Sequence, residues 1–203
     1  MESQTIALHS PLELTLELTD EQFFQLCQNN RDLRFERTAN GELIIMSPTG
    51  SETGRRNSGL NFQLTAWNIQ NNLGVVFDSS SGFKLPDGSD ISPDSAWVRR
   101  DRWDALTPEQ KEKFAPICPD FVVELREAKL SRRESASDSL EKLRAKMKVY
   151  IKNGAKLGWL LDRKNRQVEI SRPDRDVEII YSPATLSGED VLPGLVLDLS
   201  DIL

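Results

Sequence analysis

Histidine is almost missing from this chain: His9 is the only one in 203 residues. One histidine close to the N-terminus leaves no Ser-His-Asp or Cys-His set and no HExxH zinc site, which removes histidine-based hydrolases and nucleases unless His9 serves alone. Cysteine is nearly as scarce. Cys27 and Cys118 stand too far apart for a CxxC metal site and are too few for a disulfide framework, so buried, reduced thiols are expected. Long apolar runs are also lacking. No stretch approaches the ~20 residues of a membrane-spanning helix. The opening MESQTIALHSPLELTLELTD has neither the basic start nor the apolar centre of a secretory signal. A cytoplasmic protein with no membrane partner is the expectation. Excess positive charge is missing too: 26 Lys and Arg against 32 Asp and Glu give a net charge of −6 and a pI near 5.0. That balance does not suit nonspecific coating of nucleic acid and leaves room only for a local basic groove.

With 38% hydrophobic residues and no low-complexity linker, residues 1–203 can build one sizeable core, and a single domain is expected. Residues 1–18 form an N-terminal arm or edge strand, because apolar and polar side chains alternate over 11–18. Thr19-Asp20-Glu21-Gln22 is a capping-box pattern opening a short helix. Strands over 33–37 and 42–46 flank Asn40-Gly41, a hairpin turn signal. From about Glu52 to Asn72 there is no proline, and Leu60, Leu64 and Trp67 recur at helical spacing, predicting the longest helix. Val75-Val76-Phe77 and Gly82-Phe83-Lys84-Leu85 look like a strand pair. Thr107-Pro108-Glu109-Gln110 opens another helix. Leu157 to Asp162 reads as a buried strand, and 167–170 with 177–181 as a closing C-terminal hairpin. Strands and helices in this order predict an α/β fold in which helices flank a mixed β-sheet.

Candidate chemistry is concentrated between Ile91 and Tyr150. Three Pro-Asp pairs precede residue 121, at Asp87, Asp94 and Asp120. Asp87 sits in a turn sequence with local reasons for an aspartate. Asp94, in contrast, opens the apolar stretch Ala96-Trp97-Val98, which places its carboxylate at the mouth of a core strand. In Phe121-Val122-Val123-Glu124-Leu125, alternation puts Asp120, Val122, Glu124 and Arg126 on one face. A glutamate in such a run is costly unless it is paired or coordinates a cation. Beyond a charged loop over 127–137, Asp138 and Glu141 form a second capping-box pattern, and Leu140, Leu143, Met147 and Tyr150 define the buried stripe of a helix. Lys142 and Lys146 share one flank of that stripe.

Asp94 followed by Glu124-Leu125-Arg126 resembles the Pro-Asp … (Asp/Glu)-x-Lys signature of restriction-endonuclease-like nucleases, with arginine in the lysine position. Further matches lie in Phe35-Glu36, Asn40 to Pro48, Pro119 to Leu125, Lys146-x3-Tyr150-x3-Gly154 and Trp159-Leu160-Leu161-Asp162. Together they resemble the Uma-type endonuclease family over about residues 20 to 200. The resemblance implies a restriction-endonuclease-like core with Asp94 and Glu124 as metal-binding carboxylates and Lys146 as the basic residue, moved from strand to helix. Lys142 or Arg126 remains a competitor for that role. Glu36 matches the family's early glutamate and would be a supporting carboxylate, or else an ordinary strand residue paired with Arg34 or Arg37. Two features depart from the family pattern. Gly54-Arg55-Arg56 stands where many relatives have a histidine, and Glu127 to Glu134 looks like an insertion beside the site.

The expected activity is Mg²⁺-dependent hydrolysis of nucleic-acid phosphodiesters, DNA being favoured, with Mn²⁺ as a substitute. Asp94, Glu124 and the Leu125 carbonyl would hold the ion in an oxygen-rich shell. Arg99, Arg100, Arg126, Lys129, Arg132 and Arg133 are candidate phosphate contacts. Cutting both strands would take two sites, hence an expected homodimer. Alternatives are a nucleic-acid-binding or regulatory module that has lost cleavage, and a protein-interaction domain.

Overall fold

The computed structural model describes residues 12–46, 48–126 and 140–203, with side chains from residue 16 onward. His9, Ser47, the loop over 127–137 and Asp138 lie outside the described residues. Six strands form the central sheet: β4 (Gly74–Asp78), β7 (Ser95–Arg99), β8 (Phe121–Arg126), β9 (Leu157–Asp162), β10 (Gln167–Ser171) and β11 (Glu178–Tyr181). Their order is β11-β10-β9-β8-β7-β4. Only β8 and β9 run parallel, as a parallel pair needs a crossover, here supplied by α5 (Leu140–Lys152). The sheet is therefore mixed and flanked by helices, the expected α/β class.

Alternation in β8 divides its side chains between two cores. Phe121, Val123 and Leu125 pack with Leu60, Leu64 and Trp67 of α2 (Ser51–Asn71). Val122 packs on the opposite face with Leu143, Met147 and Tyr150 of α5, which is the face Glu124 shares. Gly158 on β9 lets α5 approach closely, since a Cβ there would overlap Met147 Sδ. That close approach places the flank of α5 against the end of β8.

A second, antiparallel sheet is ordered β1-β3-β2-β6-β5, from β1 (Leu12–Thr15), β2 (Arg34–Arg37), β3 (Glu42–Met46), β5 (Phe83–Lys84) and β6 (Asp90–Ile91). The expected hairpin about Asn40-Gly41 is β2–β3, and β1 is the expected edge strand. Helix α1 (Asp20–Asn29) opens with the expected capping box, Thr19 and Gln22 satisfying each other's backbone N–H groups. One expected pairing is corrected. Val75–Phe77 and Phe83–Lys84 do not pair with each other: β4 joins β7 in the central sheet, whereas β5 joins β6 in the smaller one. The intervening Asp78-Ser79-Ser80-Ser81 turns the chain between sheets, with Asp78 Oδ1 accepting from Ser80 N at 3.0 Å, so closeness in sequence did not become closeness in a ladder.

Two short helices, α3 (Arg100–Asp104) and α4 (Pro108–Glu112), link β7 to β8, and β12 (Thr185–Ser187) with β13 (Val196–Asp198) closes the chain. Leu186, Leu192, Leu195, Leu197, Leu199 and Ile202 enter the core beside α2. Both cysteines are free thiols. Burial pushes Cys27 up to about 11 and Cys118 up to about 12, so neither is a ready nucleophile. No helix among the described residues is long and apolar enough to cross a membrane.

Candidate active site

Asp94 lies where β7 begins and diverges from β8. Its backbone N–H still donates to the Val123 carbonyl at 3.0 Å, but its side chain takes over the next rung: Oδ2 accepts from Leu125 N at 2.8 Å. Oδ1 accepts from Asn57 Nδ2 at 3.2 Å and lies 3.9 Å from Arg34 Nη1. The carboxylate is thus fixed by α2, β2 and β8. Backbone N–H and C=O groups of one strand residue point to the same side, so the Leu125 carbonyl is directed toward Asp94. The neighbouring Arg126 carbonyl points the other way and accepts from Arg163 N at 3.2 Å.

Glu124 is 3% exposed and meets α5. Lys146 Nζ lies 2.9 Å from Glu124 Oε1 and 2.8 Å from Glu36 Oε1, and it donates to the Ser92 carbonyl at 2.9 Å. An ammonium has three donors, and these acceptors use all of them. Tyr150, one turn further along α5, donates its hydroxyl to Glu124 Oε1 at 3.1 Å. Glu36 is held in turn by Ser92 N at 3.1 Å.

Burial is the main cause that pushes Glu124 up to about 7; Lys146 opposes the shift, while Asp94 and Glu36 add to it. Burial alone would depress Lys146, but Glu124 and Glu36 outweigh it and hold the ammonium above its ordinary range. Burial and Glu124 together keep the Tyr150 phenol protonated, well above its ordinary value. Glu124 and Glu36 face Lys146, and Asp94 has only the more distant Arg34, so carboxylates outnumber the cations in the site.

Of the residues singled out from sequence, Asp94, Glu124, Leu125, Glu36 and Lys146 come together. Lys142 is exposed one turn earlier on α5. Arg126 is buried and pairs with Asp162 at 2.9 Å, on the β9 side of the strand. Arg99 ends β7, about 17 Å of extended chain from Asp94, and pairs with Asp101 at 2.6 Å. Arg100 donates to the Gly74 carbonyl at 2.8 Å, at that same far end. Lys129, Arg132 and Arg133 lie outside the described residues. Of the other Pro-Asp pairs, Asp87 accepts from Ser89 N at 3.0 Å within its turn, and Asp120 anchors Arg102 at 2.7 Å. Asn57 was missed, although it extends the α2 stripe of Leu60, Leu64 and Trp67 by one step of three. An asparagine on an apolar stripe is itself a signal.

A model of the Uma2 family, described as "putative restriction endonuclease", matches residues 20–200. No curated protein matches the chain. Among solved structures, the chain is similar to a putative nuclease belonging to DUF820 from Anabaena variabilis, with a TM-score of 0.69 and 18% identity. That likeness covers 92% of this chain and 97% of the other, and it shows that the two share a fold.

Proposed function

Given that this chain belongs to the Uma2 family, we propose that it is a Mg²⁺-dependent endonuclease hydrolysing phosphodiester bonds, most readily in DNA. The observation that carries this reading is the convergence of Asp94, Glu124 and Lys146 at the diverging ends of β7 and β8. The donor set fits a hard divalent cation: Asp94, Glu124 and the Leu125 carbonyl supply only oxygen, and the repulsion from Asp94 and Glu36, which adds to burial in raising Glu124 to about 7, is relieved by added positive charge. Asn57 Oδ1 is a further buried oxygen without a hydrogen bond. Asp94, Glu124 and Leu125 would hold the ion. When bound, it supplies Lewis acidity and lowers the pKa of water.

The protein's own groups do the rest. Asn57 and the Leu125 N–H fix the Asp94 carboxylate in place, and Tyr150 keeps Glu124 Oε1 oriented. Glu36 and the Ser92 carbonyl aim the Lys146 ammonium, which stabilises charge developing on the phosphate as its bond to the leaving oxygen breaks. Two copies would be needed to cut both strands.

A second reading, binding without cleavage, is favoured by one feature: all three Lys146 donors are already satisfied by the protein. Incubation with high-complexity genomic DNA and with total RNA, in Mg²⁺, Mn²⁺ or EDTA, separates the two. Metal-dependent cleavage of DNA supports the nuclease; intact DNA and RNA in every metal, at high enzyme concentration, contradict it.

A further inference from the structure

A cleft of about 470 Å³ opens at the start of α2, lined by Arg55, Arg56, Arg163 and Arg166 together with Ser200 and Asp201. Both of its walls lead along the chain to residues of the site. Arg55 and Arg56 immediately precede Asn57, which bonds Asp94. Arg163 follows Asp162 at the end of β9, and its N–H is bound by the carbonyl of Arg126, next to Leu125.

Charge in this cleft runs against that of the whole chain, which carries a net −6. Four arginines line the cleft with one side-chain carboxylate, Asp201, and Glu52 lies beside two of them. Glu52 pairs with Arg55 at 3.0 Å and Arg56 at 2.6 Å, and Arg55 also donates to the Asp201 carbonyl at 3.3 Å. The pairing is incomplete at Arg56. Its Nη1 meets Glu52 as an ion pair, but its Nε is buried without a hydrogen bond, and a buried donor of this kind calls for an acceptor. Planar guanidinium forks match phosphate oxygens better than any other side chain does. The volume exceeds the space of a single ion and lies within the range for extended ligands.

We propose that this arginine cleft docks the sugar-phosphate backbone of duplex DNA immediately next to the phosphodiester to be cut. The proposal rests on the nuclease reading of Asp94, Glu124 and Lys146 and names the surface that presents substrate to them. It also gives Arg55 and Arg56 a role in holding substrate. The arginine stretch at Arg99 and Arg100, at the far end of β7, takes no part.

The test uses the full chain, a fluorescein-labelled 20-base-pair duplex and EDTA, so that binding is read by anisotropy without cleavage at several salt concentrations. Arg55 and Arg166 are exposed, so Arg55→Glu/Arg166→Glu is expected to fold, as a melting curve will verify. The milder Arg55→Gln/Arg166→Gln pair guards against misfolding. Lys148→Glu/Arg175→Glu makes the same net charge change on exposed positions elsewhere. Docking in the cleft predicts at least roughly tenfold weaker binding for the Glu pair, a loss of about 2 in the slope of log K against log salt, an intermediate effect for the Gln pair and under about twofold change for the control. Wild-type affinity and slope in both cleft variants, with the native protein binding normally, overturn the cleft and leave the nuclease reading standing. A native protein that binds no DNA at low salt overturns both.

Discussion

Lys146 Nζ stands 2.9 Å from Glu124 Oε1, a helix-borne ammonium inserted beside a carboxylate of the central strand. The nearest strand cation, Arg126, turns instead to Asp162. A compact ammonium suits the small space beside a reacting phosphate, whereas a planar fork suits clamping. Lys146→Ala is therefore expected to slow the chemical step by roughly 10²-fold or more in single-turnover assays, with little change in DNA affinity. Lys142→Ala is expected to cleave near the wild-type rate, and Arg126→Ala to lose stability by leaving Asp162 buried without its partner. Wild-type cleavage by Lys146→Ala removes the lysine from the chemistry.

The Asn57–Asp94 contact predicts a pH-dependent defect in one variant. Asn57→Asp sets a second carboxylate against Asp94, and like charges at that spacing repel. Its melting temperature, relative to the native protein, is expected to fall more at pH 8 than at pH 5. Equal deficits at both pH values mean that the two side chains do not meet in solution.

The strands and helices that carry the site were legible because hydrophobic periodicity is a local signal: the α2 stripe, the β2–β3 turn and the alternation in β8 all appear as read. Asp94 and Glu124 stood out as charges in apolar surroundings. Pairing was less legible. Whether β4 joins β5 or β7 depends on contacts distant in sequence, and the turn at Asp78 looks alike for either. The leucines over 186–202 carry no clear period because that segment fills space beneath α2 with little regular structure. Tyr150 was read as a member of a buried stripe and of a family motif, with no role for its hydroxyl, which reaches Glu124; periodicity places a residue on a face and says nothing about the polar tip.

Stability without metal should depend on pH through Glu124. Its folded value, about 7, lies above the ordinary 4.5, so the native state binds the extra proton between those values. Stability then falls as pH rises from about 4.5 through 7, by at most about 3 kcal/mol. Lys146, raised from 10.5, contributes fully throughout that window and adds no slope there. Mn²⁺ binds the ionised native site, so its stabilisation should be larger at pH 8 than at pH 6. Glu124→Gln should flatten the metal-free profile. Thermal melts across pH with and without Mn²⁺ read both effects, and a metal-free profile unchanged by Glu124→Gln contradicts the assignment of this titration.

The most direct measurement is calorimetric titration of Mn²⁺ into the native protein and into Asp94→Asn, with metal-free melting curves showing that both are folded. A metal-dependent nuclease site at Asp94 and Glu124 predicts saturable binding by the native protein and loss of that binding in Asp94→Asn, together with loss of metal-dependent DNA cleavage. Absence of binding by the native protein, or equal binding and cleavage by Asp94→Asn, would contradict the metal site.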